Sequence, residues 1–318
     1  MDQPIKKRQK VVWVVIVGFL TLSFLSVLGA FFYFRFSSTP GRTNLLLLGI
    51  SGENYTAGDL TDTIIFISLD HQTGKILTLS LPRDIWITPL RTKLNSVYHY
   101  GGFDLAKTTV AEILGQPVDY VLLIDANLFV KIIDFLGGVE VEVERSFDDY
   151  RYPLAGKEND DCGGDPEYRC RYEHLHFEAG RQHMDGQRAL KYVRSRFAEG
   201  EEGTDFARSQ RQRRLLLAVK NKILSPQFIF RPLRLVQLFK LISLNIQTDI
   251  PHEKYFDFFK IALKFRSKKL KALALSNDFL INPPSSKEKY DNQWVLVPRA
   301  GDWKEIQEEI KKLLADKP

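Results

Sequence analysis

Arginines gather in three short stretches of this chain: Pro82-Arg83-Asp84, Tyr192-Val193-Arg194-Ser195-Arg196, and Asp205-Phe206-Ala207-Arg208-Ser209-Gln210-Arg211-Gln212. A guanidinium is always charged, and its rigid fork of donors matches phosphate oxygens bidentately. Several of them aimed at one point repel one another unless an anion lies between. A phosphate-rich ligand is the natural anion, so these stretches predict phosphoryl chemistry or phosphate binding.

Spacing refines the prediction. On a helix of 3.6 residues per turn, Asp205, Arg208 and Gln212 share a stripe with Arg211 at its margin, and Arg214 points away. Leu215, Leu216 and Val219 are left for packing. Arg194 and Arg196 are two apart and converge only if the chain unwinds after Tyr192. The Glu199-Gly200-Glu201-Glu202-Gly203 segment predicts such a break, and its glutamates are also placed to neutralise the arginines.

Arg83 follows a buried strand predicted over 76–81, and open α/β sheets bind ligands at the carboxyl ends of their strands. Lys93, in the loop beyond it with Asn95, would add a point charge. Asp62 and Asp59 lie at the mouth of another strand. Carboxylates there would hold Mg²⁺ or Mn²⁺, hard cations that take oxygen ligands and share their shell with substrate phosphates. Asp84 is a candidate base or a residue of the metal shell.

Positioning these groups requires a sheet. Continuous apolar runs at 44–50 and 63–69, with 75–81, 119–124, 139–143, 270–275 and 294–297, read as strands. Helical periodicity covers 103–114, 127–136, 184–193, 205–223, 233–244, 252–264 and 303–314. The alternation predicts an α/β fold, a mixed central β-sheet with helices on both faces, and one N-terminal transmembrane helix before it. Residues 145–175 are polar and read as a surface insertion within a catalytic domain over 44–225. Residues 226–318 either complete that domain or are appended to it.

The ends set the compartment. Lys6, Lys7, Arg8 and Lys10 precede an uncharged run over 11–34, which as a helix would rise roughly 36 Å and cross a hydrocarbon core of about 30 Å. Basic residues before the run place a tail over 1–10 in the cytoplasm and everything beyond the linker at 35–43 outside. Cys162 and Cys170, eight apart in a Gly- and Pro-containing loop, then suit a disulfide or two free thiols, and neither reading involves catalysis. A net charge of +6 is too modest to imply nucleic acid. The basic cluster Lys264, Arg266, Lys268, Lys269 and Lys271 reads as a solvated face or a contact with anionic lipid headgroups.

Taken in order, Leu46-Leu47-Leu48-Gly49, Thr61-Asp62-Thr63, Pro82-Arg83-Asp84, Lys93-Leu94-Asn95, the run from Gln182 through Tyr192 to Arg196, and Asp205 through Arg208 to Arg211-Gln212 resemble the LytR-CpsA-Psr family over about 44–223. The resemblance implies an anchored extracytoplasmic phosphotransferase. It would move a glycopolymer phosphate from a polyprenyl-pyrophosphate carrier to a sugar hydroxyl of peptidoglycan. It further implies that Arg83, Arg194, Arg196 and Arg208 grip the pyrophosphate with Lys93, Arg211 and Gln212 assisting, that Asp62 holds Mg²⁺, and that a hydrophobic tunnel takes the prenyl tail. The chain departs from the family at Ser51, where a Gly-x-Asp carboxylate is usual, leaving Asp59 or Glu53 as replacements. Two alternatives share these residues: a polyprenyl-pyrophosphate hydrolase, and a non-catalytic module that binds wall polyanions.

Overall fold

The computed structural model describes residues 41–52, 58–255, 257–258, 270–275, 278–283 and 287–315. The predicted membrane segment at 11–34, most of the linker, Glu53, the helix expected over 252–264 beyond 258, and the basic cluster up to Lys269 lie outside them. Among the described residues, no helix is long and apolar enough to cross a membrane.

In chain order the strands are β1 (Arg42–Ile50), β2 (Thr61–Asp70), β3 (Ile76–Ser80), β4 (Trp86–Ile87), β5 (Thr92–Lys93), β6 (Tyr120–Asp125), β7 (Val139–Val143), β8 (Phe147–Pro153), β9 (Tyr172–Phe177), β10 (Gly180–Met184), β11 (Gln247–Thr248), β12 (Leu270–Ala274), β13 (Leu280–Ile281) and β14 (Val297–Pro298). The helices are α1 (Val97–Leu114), α2 (Ala126–Phe135), α3 (Gly186–Arg194), α4 (Asp205–Ile223), α5 (Pro226–Ile229), α6 (Pro232–Asn245) and α7 (Lys304–Ala315). The expected α/β class, a central mixed sheet with helices, is what the chain forms. Six strands make that sheet in the order β11-β6-β1-β2-β3-β12.

Side chains alternate across a strand, so each strand feeds two layers. Leu46, Leu48, Ile64, Phe66, Leu79, Val121 and Leu123 share one core with Val110 and Ile113 of α1 and Ile306 and Ile310 of α7. Leu47, Ile65 and Ile124 line a cavity on the α2, α3 and α4 side. A second core joins α2, the β7–β10 strands, α3, α4 and α6 through residues such as Ile133, Val139, Phe177, Tyr192, Leu215 and Leu238.

Strand direction positions the site. β1 runs parallel to β6 and antiparallel to β2, which is antiparallel to β3. The carboxyl ends of β1, β3 and β6 and the start of β2 therefore meet at one end of the sheet. Gly49 permits the close pairing there: a Cβ on it would lie 2.9 Å from Thr63 Cβ.

Two expectations change. Residues 145–175 are not wholly irregular, because Phe147 pairs with Phe177 across β8 and β9 and both are buried. The rest of that segment carries the Cys162–Cys170 disulfide, S–S 2.05 Å. The helix expected from residue 103 begins at Val97, with non-helical Gly101 and Gly102 interrupting it. Beyond residue 225 the chain stays in the same body: β12 pairs parallel with β3, and Leu296 N donates to Asp84 O at 2.9 Å.

Candidate active site

The loop after β3 is folded back on itself. Leu94 N donates to Ile85 O and Asn95 N to Arg83 O, while Trp86 opposes Lys93 across β4 and β5. Lys93 Nζ is thereby brought to Asp84 Oδ1 at 2.7 Å, and Arg83 Nε lies 3.5 Å from Asp84 Oδ2. Asp84 is 5% exposed and committed to these two cations. Both of its oxygens face a cation, Oδ1 toward Lys93 and Oδ2 toward Arg83, so in this arrangement Asp84 braces the two cations. Arg83 Nη1 ion-pairs with Asp62, while its buried Nε makes no hydrogen bond.

From the other side comes α3, capped by Asp185, whose carboxylate accepts from Arg188 N at 2.8 Å. The helix ends at Arg194, and Ser195 adopts an extended conformation (ψ 128°), so the unwinding falls two residues later than expected. Arg194 Nη2 donates to Ser51 Oγ at 3.0 Å, and Ser51 Oγ lies 3.5 Å from Asp62 Oδ2. Ser51 thus links Arg194 to the Asp62–Arg83 pair. Gln212 Nε2 donates to Thr63 Oγ1 at 3.2 Å, and Arg208, buried on the same helix face, lines a neighbouring cavity.

Arg211 has another role. Its side chain is wholly buried, with Nη2 on Ser195 O at 2.7 Å, Nη1 on Glu202 O and Oε2 at 2.8 and 2.9 Å, and its guanidinium 4.8 Å from the Phe147 ring centroid. Burial pushes its pKa down, with Glu202 opposing that shift. Residues so engaged do not reach a substrate, and Arg211 leaves the set of pyrophosphate ligands. In the glutamate-rich segment Glu202 fixes Arg211 and Glu201 pairs with Arg145. Asp149 completes the support: fully buried, its Oδ2 accepts from Ser195 Oγ, Arg196 N and Phe197 N at 2.7, 3.1 and 3.2 Å. Arg196 is held by its backbone in this way, and its side chain lines neither cavity described next.

Two cavities meet at Asp62, Thr63 and Gln212. One, about 170 Å³, is walled by Leu47, Ile65, Phe129, Val193, Leu215 and Leu216, with Ser51, Asp125 and Arg194 at its polar side. The other, about 680 Å³, is lined by Arg208, Ser209, Asn282, Trp294 and Arg299 among others. Arg83 and Lys93 flank the junction through Asp62 and Asp84. The junction therefore offers oxygen donors and fixed cations between an apolar space and a larger, more polar one, a fit for an amphiphilic phosphate.

Asp59 is not at this junction. It pairs with His99 of α1, whose hydrogen bond holds its pKa below the usual carboxylate range, and it lines neither cavity. Asp125 lines the apolar cavity together with Asp62 and Ser51. β6 is the parallel neighbour of β1 with Ile50 opposite Asp125, so the last residue of β6 arrives next to Ser51. Asp125 also caps α2, accepting from Leu128 N at 2.6 Å. An acidic residue that ends a strand and opens a helix was visible in the sequence, but its sharing a cavity with Asp62 depends on which strand lies beside β1.

Arginines from the loop after β3, from the end of α3 and from α4 thus meet beside an apolar cavity at one end of the sheet, a site built for an anion with an apolar part. The chain belongs to the LytR-CpsA-Psr family, whose profile matches residues 30–312, well beyond the stretch that the motifs span. It is similar to the polyisoprenyl-teichoic acid–peptidoglycan teichoic acid transferase TagV of Bacillus subtilis (strain 168), 26% identical over 280 residues, covering 85% of this chain and 64% of that protein. The transferase TagU of Enterococcus faecalis, with the same activity in its name, is 25% identical over 340 aligned positions, covering 98% of this chain and 99% of the relative. The fold resembles the crystal structure of Bacillus subtilis TagV with a TM-score of 0.62, over 88% of this chain and 100% of that one, at 23% identity.

Proposed function

We propose that this protein transfers a glycopolymer phosphate, of the teichoic acid type handled by its named relatives, from a polyprenyl-pyrophosphate carrier to a peptidoglycan hydroxyl. The observation that carries the reading is the meeting of an apolar cavity and a larger, more polar cavity at Asp62, Thr63 and Gln212, with Arg83, Arg194 and Arg208 around it. The prenyl chain would enter the apolar cavity and the glycopolymer the polar one, which leaves the pyrophosphate at the arginines.

Phosphoryl transfer asks for positioning and charge neutralisation more than covalent work by the protein. The acceptor oxygen attacks the sugar-linked phosphorus in line, forming a new P–O bond, and the bond to the bridging oxygen breaks. Polyprenyl phosphate leaves, and the hydroxyl proton passes to solvent through the polar cavity. Arg83 and Arg194 hold the charge that accumulates on the leaving phosphate, and Arg208 orients the sugar side. Asp62, Asp125 and the Ser51 hydroxyl form an all-oxygen donor set suited to Mg²⁺ or Mn²⁺. Bound there, the ion would neutralise phosphate oxygens and release Arg83 from Asp62. The uncharged segment at 11–34 would anchor the protein with the domain outside the cytoplasm, where the Cys162–Cys170 bond is at home.

The test supplies a short polyprenyl-pyrophosphate saccharide and peptidoglycan fragments, and follows polyprenyl phosphate release and sugar-phosphate transfer. Metal-dependent transfer, lowered about 10²–10³-fold by Arg83→Ala, is expected. Release without transfer would make the protein a hydrolase, and binding with neither would make it a polyanion-binding module.

A further inference from the structure

Helix α6 is apolar on two sides. Leu238 is buried against α2, with Leu235 and Ile242 packing into the same core as Phe129, Ile132 and Phe135. On the opposite side Leu233, Val236 and Leu244 are 77, 62 and 72% exposed, and Phe230, just before the helix, is 82% exposed. At 3.6 residues per turn Leu233, Val236, Lys240 and Leu244 fall on one outward stripe. A cluster of exposed large apolar side chains marks an interaction surface.

Charge identifies the occupant. From residue 206 to 248 the chain has nine lysines and arginines and no aspartate or glutamate. Arg231, Arg234 and Lys240 belong to the exposed side of this segment. A helix with leucines and phenylalanine outward among basic residues is the pattern of an element lying in an anionic lipid interface. A soluble polyanion would use the cations but would not require Phe230, Leu233, Val236 and Leu244 to face outward. The tether agrees, because only residues 35–40 separate the uncharged segment from Gly41, a reach of about 20 Å at full extension.

We propose that the outward face of α6, with Phe230, rests on the anionic outer surface of the bilayer. Lys240 and the two arginines reach the headgroups while the leucines enter the acyl boundary. Phe129 belongs both to the core under α6 and to the wall of the apolar cavity, so docking sets that wall about one helix diameter from the lipid. A prenyl chain then has a short path from membrane to cavity. The proposal rests on the anchored reading given above, and its test separates the two.

The full chain is reconstituted in phosphatidylcholine vesicles with or without phosphatidylglycerol. An environment-sensitive fluorophore is carried on Leu233→Cys or, across the sheet on α1, on Asp104→Cys. With Cys162 and Cys170 bonded to each other, the added thiol is the one labelled. The Leu233 label is expected to shift to the blue and to be quenched by spin-labelled lipid, more strongly with phosphatidylglycerol, while the Asp104 label stays in water. Removing Arg231, Arg234 and Lys240 should lower the lipid-contacting population about fivefold per residue, and Phe230→Ser with Leu244→Ser should lower it as well. If the chain inserts but the Leu233 label is quenched no more than the Asp104 label, the docking surface is refuted and the anchor stands. If alkaline carbonate strips the chain from the vesicles, the anchor falls. The docking proposal then stands or falls on whether the Leu233 label still contacts lipid. Concentration-dependent burial of the label without lipid would assign the face to a second copy of the chain and overturn the proposal.

Discussion

Ser51 stands where the family resemblance led us to expect a carboxylate, and here it accepts from Arg194 and lies within reach of Asp62. In the proposed metal site Asp125, which lines the same cavity from the adjacent strand, would supply the carboxylate that Ser51 lacks. Asp125→Asn is therefore expected to raise the Mg²⁺ concentration for half-maximal turnover by more than about tenfold, since even an outer-shell partner is worth 10–100-fold. Asparagine still caps α2, so the fold should persist. Asp59→Asn should leave that concentration unchanged, and metal titrations of turnover compare the two. Arg211 and Asp149 act differently, fixing the backbone from which Arg194 and Arg196 project. Arg211→Ala strands Ser195 O and Glu202 inside the protein, and breaking such a buried pair costs about 3–5 kcal/mol. Urea unfolding measures the loss, and a cost near zero would mean that the buried network contributes nothing.

Among the elements, the β8–β9 hairpin carries a cluster unrelated to the phosphate site. Asp148 accepts from His174 Nε2 and His176 Nδ1 at 2.7 and 2.9 Å, and Glu178 accepts from His176 Nε2 at 3.0 Å. The bond to Asp148, then that to Glu178, raises the His176 pKa above the ordinary 6.5. Its contribution to stability is thus complete below pH 6.5 and disappears as pH rises through the raised value. Asp148 is shifted the other way, first by His174, so its share is lost only as pH falls through a value below 3.8. Imidazole resonances followed by NMR should titrate above 6.5 at His176, and Asp148→Asn should bring them back toward it. A His176 value at or below 6.5 in the unmutated protein would remove the ion pairs. The same hairpin shows why residues 145–175 read as irregular: Asp148, Tyr150 and Arg151 face out, and only Phe147, Asp149 and Tyr152 are buried. A polar outer face masks a period-two pattern that is short to begin with.

For the molecule as a whole, the C-terminal third decides whether there is a domain with an appendage or a single body. Ile306 and Ile310 of α7 lie in the core of α1 and the sheet, at 1 and 2% exposure, and Gln307 Nε2 donates to Glu112 O at 2.7 Å. Ile310→Ala is expected to cost about 2–5 kcal/mol in denaturant unfolding. Truncation after residue 302 should abolish cooperative unfolding, whereas an unchanged transition would identify α7 as an appendage.

Local patterns in the sequence determined the elements that carry the arginines and the order of the motifs. Apolar runs, helical periods, caps and breakers act over a few residues and need no partner. They located β1 to β3, α2 to α4 and α6 within a few residues of their observed ends, along with Arg83 at the end of β3. Tertiary structure alone decided which charged groups meet. Asp125 rather than Asp59 shares a cavity with Asp62 because β6 pairs with β1. Arg211 turns inward because Ser195, Glu202 and Phe147 converge on it from separate segments. Asp84 is spent on Lys93 because β4 folds onto β5. Each of these depends on contacts between distant parts of the chain. Residue type cannot specify them, because an arginine that binds substrate and one that ties down a loop carry the same charge and differ only in their surroundings.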